Sequence, residues 1–290
     1  MASASAVTIP PLAAAVAAQF AAVPGVEAVA LGGSVAEAAA GAPGAADADS
    51  DLDLYVYAHE EPALAVRAGI ARACGRPAQI GHTFWEPGDE WPATADQPAV
   101  DLMFRTPAWI DSQLHRLLLR HEASVGASTC LWHNVRTSIP LFDRAGWFCR
   151  LQQLAGQPYP EGLRRAIVAK NYPLLRRTTF SLLRQIEVAV DRQDLVSVQH
   201  RSRALLASYF DVLFAANGVP HPGEKRLVQQ ARLRCARLPR TFEAQVETFL
   251  RAAGAVPADS SVAGVAHALL DGLDEVLVPL GLVQPPAPGG

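Results

Sequence analysis

The chain has 290 residues, half of them hydrophobic and 18% charged, with a formal net charge of −3. That length and apolar content allow a large core and two domains, and exclude a largely disordered chain. The near-neutral balance argues against an extended nucleic-acid surface, and no apolar run reaches the ~18 residues of a membrane span.

The N-terminal segment Met1–Ala6 lacks a basic n-region, and Pro10, Pro11 and Gln19 interrupt the apolar run behind it, so it does not read as a signal peptide. Pro10–Ala22 has apolar spacing near 3.6 and predicts the first helix. Val26–Leu31 reads as a strand leading into Gly32-Gly33-Ser34, a glycine turn that opens a second helix. Such a turn presents backbone N–H groups and a hydroxyl, which suit a phosphate.

Leu52–Tyr57 predicts the next strand, with Leu52, Leu54 and Val56 alternating against Asp51 and Asp53. Side chains two apart on a strand share a face, so the two carboxylates point the same way. Two parallel carboxylates repel each other unless a cation lies between them, and hard divalent ions prefer oxygen ligands. Glu60–Ala73 predicts a helix, Gln79–Trp85 a strand and Ala99–Phe104 another. Asp101 is embedded in that last apolar run, where an unpaired charge would be costly. Beside the Asp51/Asp53 strand it would complete a three-carboxylate cluster able to bind two magnesium ions. Pro107 then opens a helix to about Arg120.

From Glu161 the pattern is helical. An apolar stripe from Leu163 through Phe180 to Val190 predicts one long helix kinked at Pro173. Asp194 caps a second helix ending at Gly218. Further helices are expected over 223–237, 239–253 and 262–276, and a frayed tail over 284–290. The four cysteines (Cys74, Cys130, Cys149, Cys235) have no metal-ligand spacing and read as reduced thiols of a cytoplasmic protein. The expected fold class is α+β: a small mixed-sheet catalytic domain over 1–120, a connecting region over 121–160 and an all-α domain over 161–283. The aromatic side chains Trp85, Trp91, Trp132 and Trp147 read as packing residues before ligand platforms.

Gly-Ser, then Asp-x-Asp on a strand, then a lone Asp on a later strand resembles the DNA polymerase beta-type nucleotidyltransferase superfamily. Looser phrases resemble one bacterial branch of it with a helical C-terminal half. They are Thr129–Asn134, Leu141–Arg144, Lys170-Asn171, Tyr209–Asp211 and His221–Arg226. The resemblance implies that Gly33 and Ser34 hold the triphosphate and that Asp51, Asp53 and Asp101 hold the metals. The long Ala/Gly/Pro-rich connection Ala38–Ala48 departs from that pattern, as does Val35, which stands where many relatives carry a basic residue.

All but two of the 25 basic side chains are arginines, so Lys170 and Lys225 stand out as point charges for a phosphate, with Arg201 as their substitute. The expected activity is magnesium-dependent transfer of a nucleoside monophosphate from a nucleoside triphosphate to a hydroxyl, with manganese an alternative ion. Asp101, or Glu187 from the helical half, would assist deprotonation. A small hydroxylated, aminoglycoside-like acceptor is expected in a cleft between the domains, not a nucleic acid or a membrane. The alternatives are a nucleotide-binding or antitoxin-like partner module with little turnover, or transfer onto RNA or protein. Oligomeric state is left open.

Overall fold

The computed structural model describes residues 8–42, 46–47, 49–84, 86–256 and 260–285. Met1–Ala6, Trp85 and the tail beyond Gln284-Pro285, all read from the sequence above, lie wholly outside the described residues. The chain divides into two compact units, Met1–His115 with Asn134–Gln157, and Arg116–His133 with Pro158–Gly290. The stretch 121–160 is therefore shared between them. The fold class is α+β, a mixed sheet followed by helices.

In the first unit, α1 (Pro11–Ala21) precedes β1 (Val26–Leu31), α2 (Gly33–Ala39), β2 (Leu52–Ala58) and α3 (Leu64–Ala73). Then come β3 (Gln79–His82), β4 (Gly88–Trp91), β5 (Val100–Arg105), α4 (Pro107–Leu118), α5 (Cys130–Thr137), β6 (Ile139–Asp143) and α6 (Trp147–Ala155), with the end of α4 from Arg116 and the start of α5 up to His133 counted in the second unit. Six strands form one sheet in the order β3-β4-β5-β2-β1-β6. β2 and β5 run parallel and every other neighbouring pair is antiparallel.

Alternation splits this sheet into two unlike faces. Val29 and Leu31 of β1, Leu52, Leu54 and Val56 of β2, and Val100, Leu102 and Phe104 of β5 form one core with Val16 and Phe20 of α1 and Ile70 of α3. The opposite face carries Asp53, Tyr55 and Tyr57 of β2 and Asp101, Met103 and Arg105 of β5, in register. Its Tyr57 end is covered by α6, where Trp147 and Phe148 lie 5.3 and 5.2 Å from the Tyr57 ring. Asp143 fixes α6 by accepting the N–H groups of Phe148 and Cys149 at 2.8 and 2.9 Å.

Several expected boundaries shift. The expected strand over Gln79–Trp85 ends at His82, and β4 and β6 were not anticipated. β4 is four residues between prolines. β6 contains Pro140, a residue tolerated at a sheet edge, which is where β6 lies.

The second unit is helical: α7 (Glu161–Tyr172), α8 (Leu182–Asp191), α9 (Leu195–Ala216), α10 (Leu227–Arg234), α11 (Phe242–Ala253) and α12 (Val262–Leu277). The long kinked helix is instead two helices. Pro173–Arg177 forms a π turn, Thr178 leaves the helix, and Ser181 caps α8 by accepting the Arg184 N–H. Proline removes one backbone donor, and the chain restarts with a new cap instead of bending. Phe180, counted in the apolar stripe, is 81% exposed as a result. Asp194 caps α9 as expected, accepting from Ser197, and Gly218 follows with φ 65°.

Phrases singled out in the sequence meet in this unit as a buried polar network. Asp211 accepts the Ser128 N–H at 2.9 Å, the Ser128 hydroxyl at 2.6 Å and Asn171 Nδ2 at 3.2 Å. The Thr129 hydroxyl accepts the His221 N–H at 2.7 Å. No described helix is long and apolar enough to cross a membrane.

Candidate functional site

The sheet register builds an acidic row. Asp53 of β2 pairs with Asp101 of β5, and Asp101 pairs with Glu90 of β4. All three therefore project from one face on successive strands. Asp51 stands just ahead of β2, delivered by a turn in which Asp47 Oδ1 accepts the Ser50 hydroxyl at 3.0 Å. Next along the same face is Arg105. Its guanidinium forks onto Glu86 with two 2.8 Å bonds and lies 4.3 Å from the Tyr55 ring centroid. Arg105 thus arrives already neutralised by a carboxylate.

The glycine turn closes the β2 end of the row. The Gly32 N–H donates to the Asp53 carbonyl at 2.8 Å. Gly33 has φ +64°, and a Cβ there would overlap Asp53 Oδ2. At Gly32 an added Cβ would lie 2.5 Å from Tyr55 Cε2. At both glycines a side chain comes so close that an added Cβ would have to displace it, the Tyr55 ring at Gly32 and the Asp53 carboxylate at Gly33. Ser34 follows, half-buried in the first turn of α2.

Asp101 feels the negative charge of its neighbours. The Asp101 carboxyl is pushed above the usual carboxylate range, first by burial and then by Glu90, with Asp51 and Glu86 adding and His82 opposing. Carboxylates that repel one another on a rigid sheet are suited to a hard cation. Among the described residues, no group of three or more His, Cys, Asp or Glu side chains is arranged to hold a metal ion. Asp53 and Asp101 are nevertheless the right donor type for magnesium, which habitually takes one or two carboxylates together with water and phosphate oxygens.

No known protein family matches the sequence by profile, and no curated protein matches it. Among solved structures, a similar chain is the nucleotidyltransferase-like protein of Exiguobacterium sibiricum 255-15. It is 13% identical, with 90% of this chain and 72% of that chain covered and a TM-score of 0.41.

The structure brings together Gly33, Asp53 and Asp101, with Asp51 at the entrance to β2. Lys170, Lys225 and Arg201 all belong to the second unit and are exposed there. Glu187 is not a free base. It accepts from Arg184 at 2.8 Å and lies 3.3 Å from His267, and Arg184 foremost holds its carboxyl below the usual range. The base expected at Glu187 is thus an ion-paired carboxylate in this structure.

Sequence reasoning missed Glu90, Arg105 and His82. Glu90 lies on Gly88–Trp91, too short to show alternation, Arg105 ends β5 one residue beyond the expected strand, and His82 follows an irregularity in β3. Trp91 and Trp132 are buried, which fits packing roles.

Proposed function

We propose that this protein is a nucleotidyltransferase that moves a nucleoside monophosphate from a nucleoside triphosphate to a hydroxyl of a small acceptor, releasing pyrophosphate. The observation that carries the reading is the approach of Gly33 to Asp53, with Asp101 in register on the neighbouring strand. Backbone can come within contact of a ligand bound at that carboxylate only where no side chain intervenes. Asp53 and Asp101, with Asp51, would hold magnesium or manganese. The ion, when bound, offsets phosphate charge and aligns the reacting phosphorus.

In this reading the Gly33 backbone and the Ser34 hydroxyl hold triphosphate oxygens. Lys170, Lys225 and Arg201 are the proposed phosphate-binding cations of the helical unit, and Arg105 is the cation on the acidic face itself. The proposed setting is cytoplasmic, which four cysteines outside any disulfide support.

A second reading, nucleotide binding without turnover, is favoured by one observation: Arg105 is already paired with Glu86. The two readings separate in one experiment. Calorimetry with each triphosphate and magnesium should show binding that Asp53→Asn weakens, and pyrophosphate release should accompany it. Binding without release supports the second reading. Equal affinity in wild type and Asp53→Asn removes both.

A further inference from the structure

The helical unit holds a cavity of its own. It measures about 300 Å³ and lies between the first half of α9, the end of α11 and the stretch from His221 to Leu227. Its wall is mainly apolar, built from side chains such as Leu206, Leu227, Leu250 and Ala253. The three leucines also line a second cavity of about 560 Å³, so the two spaces adjoin there. Small-molecule sites have volumes in this range and the same mixture of apolar wall and few polar groups.

α10 closes this region loosely. Of its eight residues only Ala231 is buried. The helix follows Arg226, which is held in left-handed backbone with φ 55°, three residues after Gly223 with φ +106°. Such backbone is strained for a residue that carries a side chain. A short helix with a strained start and little buried surface opens before the rest of its domain, which gives a ligand its way in.

The polar groups of the smaller cavity leave one uncommitted donor inside the wall. The Gln199 amide nitrogen donates to the Ala253 carbonyl. Ser202 Oγ is sealed from solvent, out of reach of a ligand. Arg203 and Glu224 stand 3.9 Å apart at the exposed rim, where each offsets the other's charge. His221 is different. Its backbone N–H donates to the Thr129 hydroxyl at 2.7 Å, its Nδ1 accepts the Gly223 N–H at 3.2 Å, and the Phe214 ring packs edge-on at 5.1 Å. Burial keeps the ring neutral, with its pKa lowered to about 4. A nitrogen that accepts carries no proton, so the ring proton is on Nε2. Among the described residues Nε2 has no hydrogen-bond partner, and it is not one of the nitrogens sealed from solvent. The wall thus presents a fixed N–H that lacks an acceptor.

We propose that this cavity binds a small, uncharged, mainly apolar molecule whose carbonyl or hydroxyl oxygen accepts the His221 Nε2–H. The apolar body fills the space between Leu206, Leu227 and Leu250, and the paired rim offers an ionic ligand no free counter-charge. The site belongs wholly to the helical unit and does not depend on the nucleotidyltransferase reading.

The test uses the full chain with methyl-labelled leucine, followed by nuclear magnetic resonance. The probes are acetophenone, isopropylbenzene, which has the same shape without an acceptor, and benzoate, which adds a charge. Acetophenone should shift the methyl resonances of Leu206, Leu227 and Leu250 and bind about fivefold tighter than isopropylbenzene, the ratio for one neutral hydrogen bond. Benzoate should bind more weakly than acetophenone. Leu206→Trp, which fills the cavity, should abolish binding of both neutral probes. His221→Phe keeps a ring without the donor, so the two neutral probes should bind it equally. If His221→Phe misfolds, the His221 Nε2 resonance of the wild type decides, because it should move with acetophenone and not with isopropylbenzene. No shift at the three leucines with either neutral probe overturns the site. Equal affinity of the two in wild type overturns the role of His221, and tighter binding of benzoate overturns the choice of an uncharged ligand.

Discussion

The β3–β4 hairpin meets charge on both faces, and the two faces treat it oppositely. On the core face, Arg67 and Asp89 are both fully buried and satisfy each other. Arg67 Nε donates to both Asp89 oxygens at 3.1 and 3.0 Å, and Nη2 donates to the Gly88 carbonyl at 3.1 Å. Arg67 also pairs with Glu61 and lies 4.2 Å from the Phe104 ring centroid. On the other face, Glu90, Asp101 and Asp53 follow one another on adjacent strands. Arg105 on that face is already paired with Glu86, and the His82 ring makes no hydrogen bond. Completed ion pairs hold a fold together. Like charges set side by side oppose folding, so such a row is a candidate binding site.

The largest expected effect falls on the acidic face. Asp53→Asn should reduce transfer by roughly a thousand-fold, since metal stabilisation of the transition state is worth several kcal/mol. It should leave the melting temperature unchanged or raised without metal, because it relieves repulsion. A fall in melting temperature would class Asp53 with Asp89 instead.

The core face should show the reverse. Arg67→Met leaves Asp89 buried without its partner and should cost about 3–5 kcal/mol in chemical denaturation. Adding Asp89→Leu should recover much of that loss, because two apolar side chains replace two charges. If the double variant is no more stable than Arg67→Met, the pair does more than cancel its own burial.

This contrast also marks what the sequence could reveal. β1, α2, β2 and β5 were legible because Leu52, Leu54 and Val56 alternate with acids and because Gly32-Gly33 interrupts an apolar strand. The acids of β2 and β5 were legible as a group for the same reason. Arg67 and Asp89 were not, since they are 22 residues apart and neither interrupts a pattern. His82 was hidden by the bulge at Gly81, which exchanges the faces that alternation assigns. The break after Pro173 was misread because Phe180 continues the helical spacing while lying on an exposed turn.

The second unit has buried charge without counter-charge, and pH should expose it. Burial pushes the Asp211 carboxyl up to about 6, although Ser128 donates to it, and lowers the His221 ring to about 4, with His133 adding to the effect. Asp211 binds its proton more tightly when folded. Its contribution is full below the ordinary value near 4 and disappears as pH rises through 6. His221 binds its proton less tightly when folded, consistent with its Nδ1 accepting the Gly223 N–H at 3.2 Å. Its contribution is full above 6.5 and is lost as pH falls through 4. Each amounts to about 3 kcal/mol, and the slopes oppose each other between pH 4 and 6. Wild-type stability should therefore be nearly flat there as far as these groups decide it. Asp211→Asn should rise with pH across the window, and His221→Gln should fall. Parallel curves for all three would show that neither group changes its proton affinity on folding.

The smallest effect separates strain from function at two glycines. Gly25 and Gly33 both have positive φ, +82° and +64°, but an added Cβ at Gly25 meets nothing within 4 Å, whereas at Gly33 it overlaps the Asp53 carboxylate. Left-handed backbone costs an L-residue about 1–2 kcal/mol, so Gly25→Ala and Gly33→Ala should lose stability by similar amounts from this cause. Asp53 can swing away from the new methyl, because the overlap is with the end of its side chain. Its displacement should appear in ligand binding, not in melting. Magnesium–triphosphate affinity should fall in Gly33→Ala and stay at the wild-type value in Gly25→Ala. Equal affinity in the two variants would mean that Gly33 serves the turn alone and that the position of Asp53 does not depend on it.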